Sequence, residues 1–151
     1  MPGVDGRPVS GPAITKVSIH DVPVNRRRGG EIRVLLSPTT VQSTSGLFGV
    51  LRLGPGEYVS EHYHPYSEEF IYVAVGNVVV RLDGTREVVL NAGDALMVPM
   101  NVRHRVTNPG DRPAIVPFHL SPLAPRPELG HVDTEPLPAP AQPPLEVGGP
   151  S

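Results

Sequence analysis

The stretches GEYVSEHYHPYSEEFIYVAVG (residues 56–76) and GDALMVPMNVRHRVTN (residues 93–108) decide how this chain is read. His62 and His64 are separated by one residue, so on a strand both side chains leave the same face. A metal asks this of two imidazoles, whose nitrogens must converge to about 2 Å from one point. Glu69 follows the bend at His64-Pro65 and can return to that point if the next strand folds back beside the first. Glu68 competes with it as the carboxylate. Alternation favours Glu69, because it sets Glu69, Ile71 and Val73 on one face and Glu68, Phe70 and Tyr72 on the other. In the second stretch Gly93-Asp94 opens a strand, Pro99 closes it, and His104 rides the next, which ends at Asn108 and Pro109-Gly110. Three imidazoles and a carboxylate on glycine-bounded strands make a ligand set for one borderline divalent metal. Four ordinary surface or core side chains would have no reason to be spaced to fit two hairpins.

Outward from these blocks, short β-branched runs recur and no amphipathic helix is evident. The runs are Ile14–His20, Glu31–Leu36, Gly46–Leu53, Glu69–Val75, Val78–Asp83, Arg86–Leu90, Ala95–Pro99, Arg103–Thr107 and Ala114–Leu120. Turn signals at Gly29-Gly30, Gly54-Pro55-Gly56, Gly76-Asn77, Asp83-Gly84, Asn91-Ala92-Gly93 and Asn108-Pro109-Gly110 separate them. Asp83-Gly84 is the strongest hairpin signal, since that dipeptide suits a tight primed turn. Short strands at regular spacing predict an all-β antiparallel sandwich or barrel. Residues 1–13 read as a flexible arm and residues 14–122 as the domain. Residues 123–151 read as a proline-rich tail, extended or disordered beyond about residue 135.

The 151 residues are one domain's worth, and a net charge of −2 gives no electrostatic reason to expect nucleic acid or an anionic membrane. Arg26-Arg27-Arg28 is a local exception, read as a solvated turn before the two glycines rather than a phosphate site. There is no cysteine, so a metal here must use His, carboxylate or water. No apolar run reaches the length of a membrane span and no signal-like segment opens the chain, so a cytoplasmic protein is expected. Twelve arginines stand against the single Lys16, a bias associated with GC-rich coding sequence.

Three histidines lie outside the blocks. His20 and His131 read as surface residues. His119, mid-strand among Val116, Pro117, Phe118 and Leu120, reads as buried and in need of a partner. It is either a core histidine bonded to a carbonyl or a fifth ligand or proton carrier. We expect it to point into the barrel, as a ligand or as the catalytic base.

The two blocks resemble the cupin motifs. The first has Gly56, five residues, His62-x-His64, four residues, Glu69, six residues and Gly76, matching at every fixed position. The second matches through Gly93, Pro99, His104 and Asn108, but Asn101 stands where glycine is usual. Asn tolerates left-handed backbone better than most residues, so the departure costs little. The resemblance implies a double-stranded β-helix, or jelly roll, with one metal held by His62, His64, Glu69 and His104, commonly in a homodimer. The segments RRRGGEIRVLLSPTTV, EHYHPYSEEFIYVAVG, VPMNVRHRV and FHLSPLAPRPELGHVDTE are similar to the small cupin cyclases of actinomycete aromatic polyketide clusters, of tetracenomycin, spore-pigment and resistomycin type.

That resemblance implies a cyclase closing a ring in a linear poly-β-ketone, delivered by the acyl carrier protein of a type II polyketide synthase. The implied cofactor is one divalent metal per subunit, zinc first, with iron, manganese or nickel as alternatives. His119 is the protein-side candidate for acid or base. Apolar residues beside the ligands, such as Val50, Ile71, Val73 and Val106, are expected to form the wall. Two other readings stay open: a metal-dependent cupin oxygenase, and a non-catalytic chaperone for the nascent chain. The early strand Ile14–His20 is expected to pack on a second subunit.

Overall fold

A computed structural model describes residues 14–145. Its strands are β1 (Glu31–Leu36), β2 (Leu47–Leu53), β3 (Tyr58–Tyr63), β4 (Glu68–Tyr72), β5 (Asn77–Leu82), β6 (Arg86–Asn91), β7 (Ala95–Val98), β8 (His104–Thr107), β9 (Ala114–Ser121) and β10 (Val132–Asp133). They form two five-stranded sheets, ordered β1-β2-β9-β4-β7 and β10-β3-β8-β5-β6. Every pairing between these strands is antiparallel, which with the crossovers makes a jelly-roll sandwich. No helix among the described residues is long and apolar enough to cross a membrane.

Alternation builds the interior. In β2 Leu47, Gly49, Leu51 and Leu53 turn inward, and in β5 Val78, Val80 and Leu82 do the same. Across the gap they meet Ile71, Val73, Val98, Val106 and Val116. Burying one such side chain contributes about 1.5–3 kcal/mol, so this apolar layer is what holds the sheets together. The Asp83-Gly84 turn forms as expected, with both residues at positive φ between the paired Leu82 and Arg86. Asn101 takes a φ of 65°, the left-handed geometry its place in the motif requires, and its N–H donates to the His64 carbonyl at 3.0 Å.

Two expectations fail at the ends of the domain. Ile14–His20 is not a strand: its first residues are irregular and Ile19–Asp21 is a short 3-10 turn. Ser18 accepts from the His20 N–H there, a local bond that competes with strand pairing. The tail is not loose over the residues described. β10 adds to the edge of β3, with Val132 opposite Tyr63 and Asp133 opposite His62. Beyond it the Ala139 N–H donates to the Arg27 carbonyl, and the Arg27 guanidinium donates to the carbonyls of Pro140 and Gln142. Proline removes donors but leaves carbonyls, so such a segment docks by accepting bonds from arginines of the domain. The expected boundary at residue 123 therefore does not separate a free tail. The terminal residues 1–13 and 146–151, including the whole of the expected arm, lie outside the described residues.

Candidate metal centre

His62, His64, Glu69 and His104 come together at one end of the sandwich, with one donor atom from each lying within 4.8 Å of the others. The two sheets contribute jointly. His62 and His104 are opposite one another on β3 and β8, and Glu69 reaches across from β4 in the other sheet. β4 does not fold back beside β3 as expected from sequence; it lies in the other sheet and faces β3 through the core, so the carboxylate closes the site from the opposite wall. Glu68 lies on the other face of β4, as alternation required.

A bulge sets the geometry of β3. Between Val59 and His62 the register against β8 slips, so His62 lands opposite His104 with ring centroids 4.4 Å apart. The three imidazoles are fixed in one tautomer by the same device. Nδ1 of His62 donates to the Ser60 carbonyl at 2.8 Å, Nδ1 of His104 to Val102 at 2.9 Å, and Nδ1 of His64 to Gly130 at 2.9 Å. Their Nε2 lone pairs are left for a ligand. Nε2 of His64 and of His104 are buried and without a hydrogen-bond partner.

Nε2 of His104 and Glu69 Oε1 stand 3.0 Å apart, a hydrogen-bond distance. Neutral His104, with its proton on Nδ1, has none to give, so only the doubly protonated ring bridges that gap. Burial disfavours that charged ring, but the hydrogen bond and charge of Glu69 together outweigh burial and raise the His104 pKa. Burial likewise opposes ionisation of Glu69, yet His104 and His64 hold its carboxyl below the usual range. His62 is driven well below its ordinary value by burial, with His104 and His64 adding repulsion. A buried neutral imidazole with a free Nε2 lone pair, orphaned Nε2 atoms and an ionised carboxylate fit a divalent cation.

The site opens into a cavity of about 130 Å³. Ile32, Leu47, Leu51, Val59, Phe118 and Leu120 are among its walls. Ile71 and Val106 line it as expected, whereas Val50 and Val73 do not. Tail residues Pro127, Gly130, His131 and Leu145 complete it.

His119 departs from expectation. Phe118 and Leu120 face the cavity, so His119 between them leaves the other face of β9. Its register partner there is Phe70, and the rings lie 5.8 Å apart on the outer surface. It is not among the converging donors. Apolar neighbours in sequence do not bury His119, because strand alternation assigns Phe118 and Leu120 to the opposite side.

His131 departs the other way. Expected at the surface, it is half-buried in the cavity wall, and burial, followed by repulsion from Arg28, lowers its pKa to about 4. Arg28, expected in a solvated turn, is buried too and lines the same wall. Only a fold that returns the tail across β3 places these two residues. Their one sequence signal was membership in the segments RRRGG and ELGHVDTE. His20 is exposed, as expected.

A double-stranded sheet sandwich with a His-His-Glu-His cluster inside one end defines a cupin. Residues 49–120 match the Cupin domain family, and the chain belongs to it. It is 51% identical over 137 residues to the tetracenomycin polyketide synthase protein TcmJ of Streptomyces glaucescens, covering 91% of each chain. It is 55% identical over 119 residues to the polyketide synthase CurC of Streptomyces cyaneus, covering 79% of this chain and 77% of that one. Among solved structures it resembles a predicted oxalate decarboxylase from Thermotoga maritima, with a TM-score of 0.62 and 24% identity, over 72% of this chain and all of that one. At that identity the likeness shows the fold alone.

Proposed function

We propose that this protein is a metal-dependent cyclase that directs aldol ring closure of a linear poly-β-ketone in aromatic polyketide biosynthesis. The observation that carries the reading is a buried His-His-Glu-His cluster opening into an apolar cavity, in a chain related along most of its length to polyketide synthase proteins.

Ring closure needs an enolate at one methylene, a polarised ketone at another position, and a conformation that brings them together. A divalent ion, zinc first, supplies Lewis acidity that favours both the enolate and the polarised ketone. His62, His64 and His104 would hold it through Nε2 and Glu69 through its carboxylate. The backbone carbonyls of Ser60, Gly130 and Val102 keep the rings oriented. Ile71, Val106, Phe118 and Leu120 exclude water and give the chain an apolar surface to fold against. A volume near 130 Å³ is about that of a cavity that takes one benzene ring, so the site matches one nascent ring and leaves the rest of a long substrate outside. His131, held neutral, offers a hydrogen bond but stores no proton near neutral pH.

Delivery by an acyl carrier protein and action in the cytoplasm belong to the same reading. The test is reconstitution with a minimal type II synthase and its carrier protein. Adding this protein is expected to change the distribution of ring patterns, and an unchanged distribution would remove the cyclase reading.

A further inference from the structure

Arg28 is the buried cation that the metal cluster leaves unexplained. Its side chain is only 9% exposed, yet it lines the cavity. The backbone forces it there. Gly29 follows at a φ of 102°, where an added Cβ would collide with the Tyr58 carbonyl, and the Arg28 carbonyl accepts from the Ser60 N–H at 2.8 Å. Nε donates to Asp133 at 2.9 Å. Asp133 lies on β10, opposite His62. The two terminal nitrogens have no hydrogen-bond partner among the described residues, and the residue lines the cavity.

A guanidinium gripped by Nε alone presents a planar pair of donors on its far side. That fork matches two oxygens in one plane, as in a carboxylate or the enolate of a 1,3-dicarbonyl. Most of the cavity wall is apolar, so an anionic oxygen pair entering it meets few donors besides Arg28, His131 and the metal cluster. We propose that Arg28, held in place by Asp133 of the C-terminal segment, anchors the paired oxygens of a 1,3-dicarbonyl ligand in the metal cavity. The choice of a 1,3-dicarbonyl over a simple carboxylate rests on the cyclase reading, and the tail then serves as part of the binding site.

Benzoylacetone is a suitable probe, because its enolate is distinguished from the ketone by ultraviolet absorption. Its binding and enolate fraction would be measured on the metal-loaded and the chelator-treated protein, with benzoate as the carboxylate comparison. Arg28→Gln is expected to weaken binding at least about tenfold and lower the bound enolate fraction in both forms. Asp133→Asn is expected to weaken it less, and Arg28→Lys to keep the charge but lose part of the affinity with the fork. Benzoate bound more tightly than benzoylacetone would overturn the dicarbonyl assignment. A folded Arg28→Gln protein that binds like the wild type would overturn the anchor. If that variant does not fold, Arg28→Lys decides: an unchanged affinity and spectrum overturn the proposal. Arg28-dependent probe binding beside synthase products indifferent to the protein would keep the anchor and remove the cyclase reading. The reverse pattern would do the opposite.

Discussion

Each of the three cluster histidines commits Nδ1 to a backbone carbonyl, so the ring is already in the ligating tautomer before any ion arrives. His104→Ala removes a donor whose ring is 1% exposed, and metal affinity is expected to fall at least about 100-fold in competition with a chromophoric chelator. His119→Ala is expected to leave metal content unchanged, because its ring lies against Phe70 on the outer surface. Equal metal loss in the two variants would contradict that placement. His131 gives a pH signature. Its pKa is about 4 in the fold and about 6.5 in an unfolded chain, so between those values the unfolded state takes up the proton first. Stability conferred by neutral His131 is therefore present above about pH 6.5 and is lost as pH falls toward 4. His131→Gln should lose less stability than the wild type between pH 7 and 5, measured by denaturant unfolding; equal losses would contradict the assignment. The ligands were legible in sequence because spacing within a strand is local information. Arg28 and His131 were not, because a long-range return of the chain brings them to the cavity.

Among the elements, β4 was the most legible: its alternation placed Glu69, Ile71 and Val73 inward, and the fold agrees. The bulge in β3 was not, since one extra residue leaves no mark on composition. The docking of the tail is not legible in the sequence because proline and polar residues carry no period. Its docking rests on single contacts, above all Glu135, which accepts the Glu61 N–H at 2.7 Å and pairs with Arg105 at 3.1 Å and Arg81 at 3.6 Å. Thr134 adds a bond to Glu61 at 2.8 Å. Glu135→Ala is expected to cost about 1–2 kcal/mol, read from the urea midpoint, and to speed proteolysis within residues 123–145. Cleavage no faster than in the wild type would mean that other contacts hold the segment.

At the scale of the molecule, the ligands tie two sheets together, since His62 and His104 come from one and Glu69 from the other. A cation bound there stabilises only the folded chain. At about 100 times its dissociation constant it adds about 2.7 kcal/mol, which for a chain of this size raises Tm by roughly 5–10 °C. The gain should shrink toward pH 5, where protons compete for the imidazoles. The expected homodimer has a candidate face: Phe70, Tyr72 and Met97 are 42%, 45% and 41% exposed on the outside of the β1-β2-β9-β4-β7 sheet. Sedimentation at micromolar concentration is expected to give a dimer, and a monomer would count against it. Whether the metal cluster directs ring closure, as proposed, is decided by comparing synthase products formed with the wild-type protein, with folded His104→Ala and with no added protein. The variant's products are expected to match those formed with no protein, whereas a folded, metal-free variant that still directs the wild-type ring pattern would show that the cluster does not direct closure.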